Sequence, residues 1–245
     1  MPRFYIKAPL EVSLTISLPL PIEVVRHLHV LRIIQGQTIE LFNGDGFSYE
    51  CELLELTKKS AQVNIVKRLN KPLSVSLSIK LAVCIIANDK MDLVIQKATE
   101  LGLQEITPVI SARTQRIDKA RMEKKLLHWQ NIIISSCEQC GNNILPVLSP
   151  ICEINDIFKQ SNENALKIIL SPVQNAEKII MSTQVPAEIL LLVGPEGGFT
   201  PEELNIATNS NFKSLTLGHL TMRAETAAIA GIVSLRTKFD NWMSW

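Results

Sequence analysis

The stretch that most constrains the fold covers residues 190–204 and reads Leu-Leu-Leu-Val-Gly-Pro-Glu-Gly-Gly-Phe-Thr-Pro-Glu-Glu-Leu. Its apolar beginning is typical of a buried strand, and the three glycines and the proline that follow predict a tight turn. Thr200 is a good N-cap, Pro201 suits the first helical position, and Glu203 completes a capping box. A buried strand that enters a helix through such a turn predicts an α/β layer fold.

The chain beyond residue 73 alternates between strand-like and helix-like patterns. The predicted strands span residues 73–83, 106–110, 166–170, 189–193 and 214–217. The predicted helices span residues 90–101, 118–140 and 225–239, and Gly102 and Gly141 follow the first two as typical C-terminal residues. This alternation predicts a mainly parallel sheet.

Residues 1–70 follow a different pattern, with a short helix at 22–31 and alternating strands at 38–42, 47–53 and 61–65. The segment Asn43–Gly46 supplies residues that tolerate positive φ, as a turn between strands requires. Arg68–Pro72 is polar and ends in a proline, so we place a domain boundary there. The sequence predicts a small β-rich domain over residues 1–70 and an α/β domain over residues 73–245.

Composition excludes several classes of protein. No apolar run approaches the roughly 20 residues that cross a bilayer, and Glu11, Pro19 and Pro21 interrupt the apolar N-terminal segment. We therefore expect no membrane span and no signal peptide. Five cysteines form an odd number scattered through a chain of 245 residues, which is not a disulfide pattern. These features predict a cytoplasmic protein with reduced thiols.

The spacing of Cys137 and Cys140 also occurs in zinc sites and redox motifs. The sequence contains no second pair at ligand spacing. Residues three apart on a helix share a face, so the alternative is that two small thiols pack against a neighbouring element. We predict no metal.

The formal net charge of +1 gives no global argument for nucleic-acid binding, so RNA affinity depends on local patches. Residues 113–125 contain six Arg or Lys against one Asp and one Glu. Such a cluster can neutralise RNA phosphates, or it can be a solvated helix face.

The glycine-rich turn lies at the carboxyl end of a predicted strand, where open α/β sheets bind their ligands. It lacks both the Gly-Lys-Ser/Thr ending of a phosphate-binding loop and the Gly-x-Gly-x-x-Gly dinucleotide fingerprint. A neutral adenosine ligand stays open, as does the alternative that the glycines only make a tight turn.

Residues 215–227 also leave a strand through a loop and enter a helix, so this loop and the glycine-rich turn could share a pocket. Arg223 and Glu225 stand at the helix entrance, where the helix dipole favours a glutamate but not an arginine. The two residues are either a substrate-orienting pair or a surface arginine beside a first-turn glutamate.

Gly-Pro-Glu-Gly-Gly-Phe at 194–199 and Met-Arg-Ala-Glu-Thr-Ala at 222–227 together resemble the trefoil-knotted SPOUT methyltransferases. More narrowly, the chain resembles the RsmE family of ribosomal RNA uridine-N3 methyltransferases. The resemblance extends to residues 90–102, 138–141, 27–32 and 41–44, and so covers nearly the whole chain.

The resemblance implies a PUA-like β-barrel at the N-terminus and a knotted α/β domain that binds S-adenosyl-L-methionine (AdoMet) at the C-terminus. It also implies a homodimer whose active site uses both subunits. The implied reaction is methylation of N3 of a uridine in 16S ribosomal RNA within the assembled 30S subunit.

The resemblance also implies roles for individual residues. Arg223 would stabilise the uracil anion or orient the ring, and Glu225 would hold Arg223 or accept the proton through water. The implied AdoMet-binding residues are Leu170, Gly194, Glu196, Gly197, Leu217, Gly218, Leu220 and Thr226. The implied RNA-binding residues are Arg3, Arg26, Arg32, Arg113 and Arg116.

Two other functions stay open from the sequence. The same fold could methylate another RNA position, such as a ribose oxygen or a transfer RNA guanine. The chain could also be a non-catalytic ribosome-assembly factor that binds RNA, although the intact stretches at 194–199 and 223–227 argue against this.

Overall fold

The computed structural model describes residues 1–69, 77–114, 118–160, 164–171 and 185–240. The chain forms two compact units. The first comprises Met1–Ser74 together with Ile134–Leu145, and the second comprises Val75–Ile133 together with Pro146–Trp245. Leu73, Val75, Arg116, Trp242 and Trp245 lie outside the described residues.

The first unit is built on one sheet. Its elements are β1 (Arg3–Tyr5), β2 (Ser13–Pro19), α1 (Ile22–Val30), β3 (Thr38–Phe42), β4 (Tyr49–Leu56) and β5 (Ala61–Arg68). The strand order is β1-β3-β4-β5-β2, with β1 parallel to β3 and the other neighbours antiparallel. The alternating residues of β4 and β5 bury one face, including Leu53 and Val63, against Leu28 of α1. The predicted helix and three strands are confirmed, whereas β1 and β2 were not predicted.

The turn between β3 and β4 follows from its residue types. Gly44 and Gly46 both have φ +92°, a conformation that only glycine adopts without strain. The Asn43 side chain accepts the backbone N–H of Asp45 at 3.2 Å, and Asp45 in turn accepts that of Phe47 at 2.8 Å. The local sequence therefore determines this connection.

The segment Ile134–Leu145 belongs to the first unit although it lies far along the chain. Glu138 accepts the backbone N–H of Tyr5 at 3.0 Å, and Arg3 donates to Asn143 at 2.7 Å. Burial raises the pKa of the Glu138 carboxyl above its ordinary range. These bonds join the segment to β1, and no periodicity in the sequence predicted them.

The second unit is an α/β layer structure. Its strands are β6 (Ser78–Cys84), β7 (Glu105–Ile110), β8 (Val147–Leu148), β9 (Cys152–Glu153), β10 (Ala165–Leu170), β11 (Glu188–Val193) and β12 (Lys213–Leu215). The order is β12-β10-β11-β6-β7-β8, with β9 also on β7, and every pairing is parallel. The predicted parallel sheet is confirmed.

The helices are α2 (Asn88–Glu100), α3 (Lys119–Cys140), α4 (Ile154–Phe158), α5 (Pro201–Asn209) and α6 (Ala224–Phe239). α5 begins as predicted, because Thr200 Oγ1 accepts the Glu203 N–H at 3.1 Å while Glu203 Oε2 accepts the Thr200 N–H at 2.7 Å. The last strand ends at Leu215, so Leu217 lies in the following loop rather than in the predicted strand 214–217. The short elements α4, β8 and β9 were not predicted.

A buried arginine fixes α6 to the end of α2. Arg236 is 2% exposed and donates to the carbonyl oxygens of Gly102 at 2.7 Å and Leu77 at 3.1 Å. It also pairs with Asp240 at 2.9 Å. Burial lowers the pKa of the Arg236 guanidinium. α6 is thereby held where its N-terminus meets the carboxyl edge of the sheet. Within the described parts of the chain, no helix is long and apolar enough to cross a bilayer.

Candidate active site

A cavity of about 740 Å³ opens at the carboxyl edge of the parallel sheet. Strand register places the ends of three strands side by side there, because Leu170 of β10 pairs with both Val193 of β11 and Leu215 of β12. The cavity is lined by Lys90, Leu170, Ser171, Val193, Gly194, Pro195, Glu196, Gly197, Gly198, Phe199, Leu215, Thr216, Leu217, Leu220, Thr221, Met222, Arg223, Ala224 and Ala227. Its volume is typical of a small-molecule site.

The glycine-rich turn at 194–199 forms one wall of the cavity. Close packing requires a glycine at one of its positions, and backbone conformation requires a glycine at another. A Cβ on Gly194 would lie 3.0 Å from Cε2 of Phe199, whose ring is buried against the turn. Gly198 has φ +68° and donates its N–H to the Pro195 carbonyl at 2.8 Å. The turn is therefore closed by Phe199, which leaves backbone rather than side chains facing the cavity.

Two long-range hydrogen bonds anchor this turn. Glu196 accepts the backbone N–H of Ala87 at 3.1 Å, which ties the turn to the start of α2. Arg113 donates to the carbonyl oxygen of Gly197 at 2.6 Å. Both side chains are exposed, and together they join the turn to two other segments of the chain.

The loop at 216–223 forms the opposite wall. Thr216 donates its hydroxyl to the Ser171 carbonyl at 2.8 Å, and Gly218 has φ +77°. Beyond it the loop is open to solvent, since Leu220 is 84% exposed. Arg223 occupies the N-cap position of α6 with an exposed side chain and no side-chain cap bond.

Glu225 does not line the cavity. It is 8% exposed, and within the described residues its Oε2 has no hydrogen-bond partner. Nor do the side chains of Arg223 and Glu225 form a hydrogen bond or an ion pair with each other in the described structure. The structure thus places one of the two residues expected to be catalytic on the cavity wall and the other behind it.

The predicted AdoMet-binding residues are mostly brought together. Those that share this cavity are Leu170, Gly194, Glu196, Gly197, Leu217 and Leu220. Gly218 instead lines a second cavity of about 430 Å³, which extends along α6 and shares four residues with the first, namely Leu215, Thr216, Leu217 and Met222. Thr226 is exposed and lines neither cavity.

Sequence reasoning missed several lining residues, among them Lys90, Ser171, Phe199, Thr216 and Met222. Ser171 directly follows β10, so the position of a strand end would have identified it. Lys90 is the third residue of α2, and no local pattern in the sequence connects it with the glycine-rich turn.

The predicted RNA-binding arginines have different environments. Arg3 is turned inward, because it pairs with Glu40 at 2.5 Å and lies 5.0 Å from the Phe42 ring centroid. Arg26 and Arg32 are exposed, and Arg32 has φ +56° at the end of α1. Arg113 is exposed and bonded to Gly197 of the cavity wall, and Arg116 is outside the described residues.

The cysteines of the Cys137-x-x-Cys140 spacing differ in environment. Burial raises the pKa of Cys137 to about 12, which disfavours the thiolate that zinc ligation needs, whereas Cys140 is exposed. Among the residues that the structure describes, no three His, Cys, Asp or Glu side chains cluster as metal ligands.

Comparison with known proteins gives matches over both parts of the chain. Residues 73–236 match the family described as "RNA methyltransferase domain", and residues 21–66 match "RNA methyltransferase PUA domain". A relative from Buchnera aphidicola (subsp. Schizaphis graminum), named ribosomal RNA small subunit methyltransferase E, is 36% identical, with 98% of each chain covered.

Solved structures agree with these matches. A ribosomal RNA small subunit methyltransferase E from Neisseria gonorrhoeae, bound to S-adenosyl methionine, has a TM-score of 0.92 and 35% identity, covering 99% of this chain and 100% of that one. A methyltransferase from Legionella pneumophila, in complex with the bound cofactor SAM, has a TM-score of 0.90 and 36% identity, covering 96% of each chain.

Proposed function

Since the chain belongs to the ribosomal RNA small subunit methyltransferase E family, we propose that it transfers a methyl group from AdoMet to N3 of a uridine in 16S ribosomal RNA. The observation that carries this proposal is the cavity itself. Backbone from the glycine-rich turn lines one wall, and Arg223 lines the other. The same cavity thus offers a surface for the adenosine of AdoMet and a cation for the uridine that receives the methyl group.

AdoMet fits the walls that the structure provides. Leu170, Val193, Pro195 and Leu217 supply apolar surface, and the glycine-rich turn presents exposed backbone. We assign the adenosine to this surface, with Glu196 and Thr216 as nearby polar groups. When bound, AdoMet supplies a methyl group on a sulfonium, whose neutral thioether leaving group needs no acid.

We assign Arg223 to the negative charge that develops on the uracil ring. Uridine N3 carries a proton, and the nitrogen attacks carbon only after that proton has left. The resulting negative charge is spread over N3 and the two ring carbonyl oxygens. A guanidinium presents several donors in one plane, which matches the edge of a planar uracil anion. We therefore assign anion stabilisation or ring orientation to Arg223.

We assign Glu225 an indirect role. Its carboxyl is buried at the first turn of α6, two residues after Arg223, with Oε2 unpartnered among the described residues. A turn of the exposed Arg223 side chain toward α6 would bring the two charges together. Alternatively, water could relay the uridine proton to the carboxyl. Either role requires the side chain or the solvent to move relative to the structure described above.

We assign RNA binding outside the cavity to exposed arginines. Arg26 and Arg32 present exposed guanidinium groups in the N-terminal domain, whereas Arg3 forms an ion pair with Glu40. In the second unit we assign RNA binding to Arg113, which is bonded to Gly197 of the cavity wall, and to Arg116, which belongs to the same basic segment of the sequence. The PUA match over residues 21–66 supports RNA recognition by this domain.

The proposal extends to features that the family resemblance implies. These are a barrel-like N-terminal domain over residues 1–70, a trefoil knot in residues 73–245, and a homodimer. The proposed substrate is the assembled 30S subunit, which places the enzyme in the cytoplasm.

The experiment that tests the function uses small ribosomal subunits purified from a strain that lacks this protein. The subunits are incubated with the purified enzyme and methyl-labelled AdoMet, and the labelled nucleoside is identified by mass spectrometry. Naked 16S RNA serves as the matched substrate, and subunits from the wild-type strain serve as the already modified control.

We expect the label in 3-methyluridine, with more transfer to unmodified 30S subunits than to naked RNA. Label in another nucleoside would reject the uridine-N3 assignment, while the assignment as an RNA methyltransferase would stand. Measured AdoMet binding without any transfer would favour an RNA-binding assembly factor.

A further inference from the structure

The rim of the cavity carries more positive than negative charge. Lys90 and Arg223 line the cavity, and Arg113 is bonded to the rim through the Gly197 carbonyl. Glu196 is the acidic residue among those lining the cavity, and it accepts the Ala87 N–H. Two cations and one carboxylate thus line the cavity, and a third cation is bonded to the backbone of a lining residue.

Lys90 is held at this rim by the start of α2. The Glu196 side chain accepts the N–H of Ala87, the N-cap residue of α2, so the first turn of the helix lies against the glycine-rich turn. Lys125 of α3 donates to the side chain of Asn88, the first residue of α2. The half-buried Lys90 side chain therefore lines the cavity from the first turn of α2, which hydrogen bonds hold in place.

Lys90 also differs from the other lysine of α2. Lys97 forms an ion pair with Glu100 at 2.8 Å. In the described parts of the chain, no ion pair or hydrogen bond engages the Lys90 ammonium. An unpaired cation on a cavity wall is available to a ligand, whereas Lys97 is committed to its helix neighbour.

Charge selects between the two ligands of the proposed reaction. AdoMet carries a sulfonium, an ammonium and a carboxylate, so its net charge is positive, and an excess of cations at the rim does not favour it. RNA is a polyanion and gains from each cation that neutralises a phosphate. Resting on the proposed function, we propose that Lys90 binds a backbone phosphate next to the target uridine and thereby positions that nucleotide in the cavity.

The chemistry of the two side chains also supports separate roles for Lys90 and Arg223. A lysine ammonium is a compact charge on a flexible stem and suits a phosphate, whereas the planar guanidinium of Arg223 suits the uracil edge. Lys90 is thus a positioning residue for the RNA and not a group that acts on N3. Its loss affects RNA affinity and KM, while kcat at saturating RNA is retained.

The test compares Lys90→Gln with Lys97→Gln, a charge-neutralising change on the same helix away from the cavity. Three quantities are measured: AdoMet affinity by calorimetry, RNA affinity over a series of salt concentrations, and the steady-state kcat and KM for unmodified 30S subunits. Lys90→Arg is included because it keeps the charge. Thermal unfolding of each variant shows that the fold is intact.

For Lys90→Gln we expect RNA affinity to fall roughly tenfold at low salt, and the slope of its logarithm against log salt to shrink by about one. KM should rise in parallel, while kcat and AdoMet affinity stay within about twofold of the wild type. Lys90→Arg should restore most of the salt dependence, and Lys97→Gln should match the wild type.

Unchanged RNA affinity and salt slope in Lys90→Gln would overturn the proposal. A loss of AdoMet affinity equal to the loss of RNA affinity would overturn it too, because the ligand would then be the AdoMet carboxylate. The product nucleoside of the wild-type enzyme is identified in parallel. Label outside 3-methyluridine would refute the proposed function, while the Lys90 proposal would still be decided by RNA affinity.

Discussion

The glycine-rich turn at 194–199 is fixed by packing and by hydrogen bonds to other segments of the chain. The loop at 216–223, on the opposite wall of the same cavity, exposes two large apolar side chains to solvent. Phe199 fills the space beside Gly194, and Arg113 and Ala87 bond to the turn. In contrast, Leu220 is 84% and Met222 is 39% exposed. The turn is therefore preformed, whereas we expect the loop to gain contacts when a ligand of the proposed reaction binds.

The difference also appears in the helices that follow. α5 begins with a complete capping box at Thr200 and Glu203, so its first turn is stabilised locally. α6 begins at Arg223, which gives no side-chain cap and places a positive charge at the positive end of the helix dipole. Stability explains the residues of the first junction, and the proposed chemistry explains Arg223 at the second.

Arg223→Ala gives the largest expected effect on activity. Because Arg223 is exposed at the cavity wall, we expect turnover to fall by roughly two to three orders of magnitude, as when one donor to a developing anion is removed. AdoMet affinity should stay close to the wild-type value, since the opposite wall is unaffected. Single-turnover methyl transfer and calorimetry would measure the two effects. Loss of both, or of neither, would contradict the assignment of separate tasks to the two walls.

Gly194→Ala tests the packed wall. Its Cβ would lie 3.0 Å from the buried Phe199 ring, so overpacking should lower the free energy of unfolding by about 1–3 kcal/mol and weaken AdoMet binding. Gly218→Ala is the matched change on the open wall, where no described residue lies within 4 Å of the added Cβ. The positive φ opposes this substitution, at a cost of roughly 1 kcal/mol. Denaturant unfolding compares the two variants. Equal losses of AdoMet affinity would show that the walls do not differ in preorganisation.

Arg223→Ser sharpens the contrast between the two helix starts. A serine at the N-cap position should accept a first-turn N–H and remove the unfavourable charge, which raises the free energy of unfolding by about 1 kcal/mol. Turnover should nevertheless fall as in Arg223→Ala. Thermal unfolding of the two variants, measured side by side, separates the cap from the loss of the arginine. A serine variant no more stable than the alanine variant would show that the start of α6 is not limited by its cap.

Leu220→Ser gives the smallest expected effect on stability. Because Leu220 is 84% exposed, its removal should change the free energy of unfolding by less than about 0.5 kcal/mol. If the loop gains contacts from a ligand, the affinity for AdoMet or RNA should still fall severalfold. Unfolding and binding titrations on one preparation would show both effects. Unchanged affinity for both ligands would mean that the open loop has no binding role.

The predictions from sequence were most successful where structure depends on neighbours in the chain. The capping box, the turn at Asn43–Gly46 and the main strands of both units follow residue types within a few positions of each other. Most of the expected AdoMet-binding residues share one cavity because strand ends in a parallel sheet meet at one edge. The short strand β1 escaped prediction because three residues carry too little pattern.

The sequence by itself determined the junction between β11 and α5, since the capping box at Thr200 and the glycines before it act within one turn of helix or loop. Only the tertiary structure decided which side chains meet there. It joined Glu196 to Ala87 across 109 positions, brought Lys90 to the cavity, turned Arg3 toward Glu40, and placed Glu225 behind the wall that Arg223 lines. The physical reason is that strand order and helix packing set these distances, and neither is encoded in any local window of the chain.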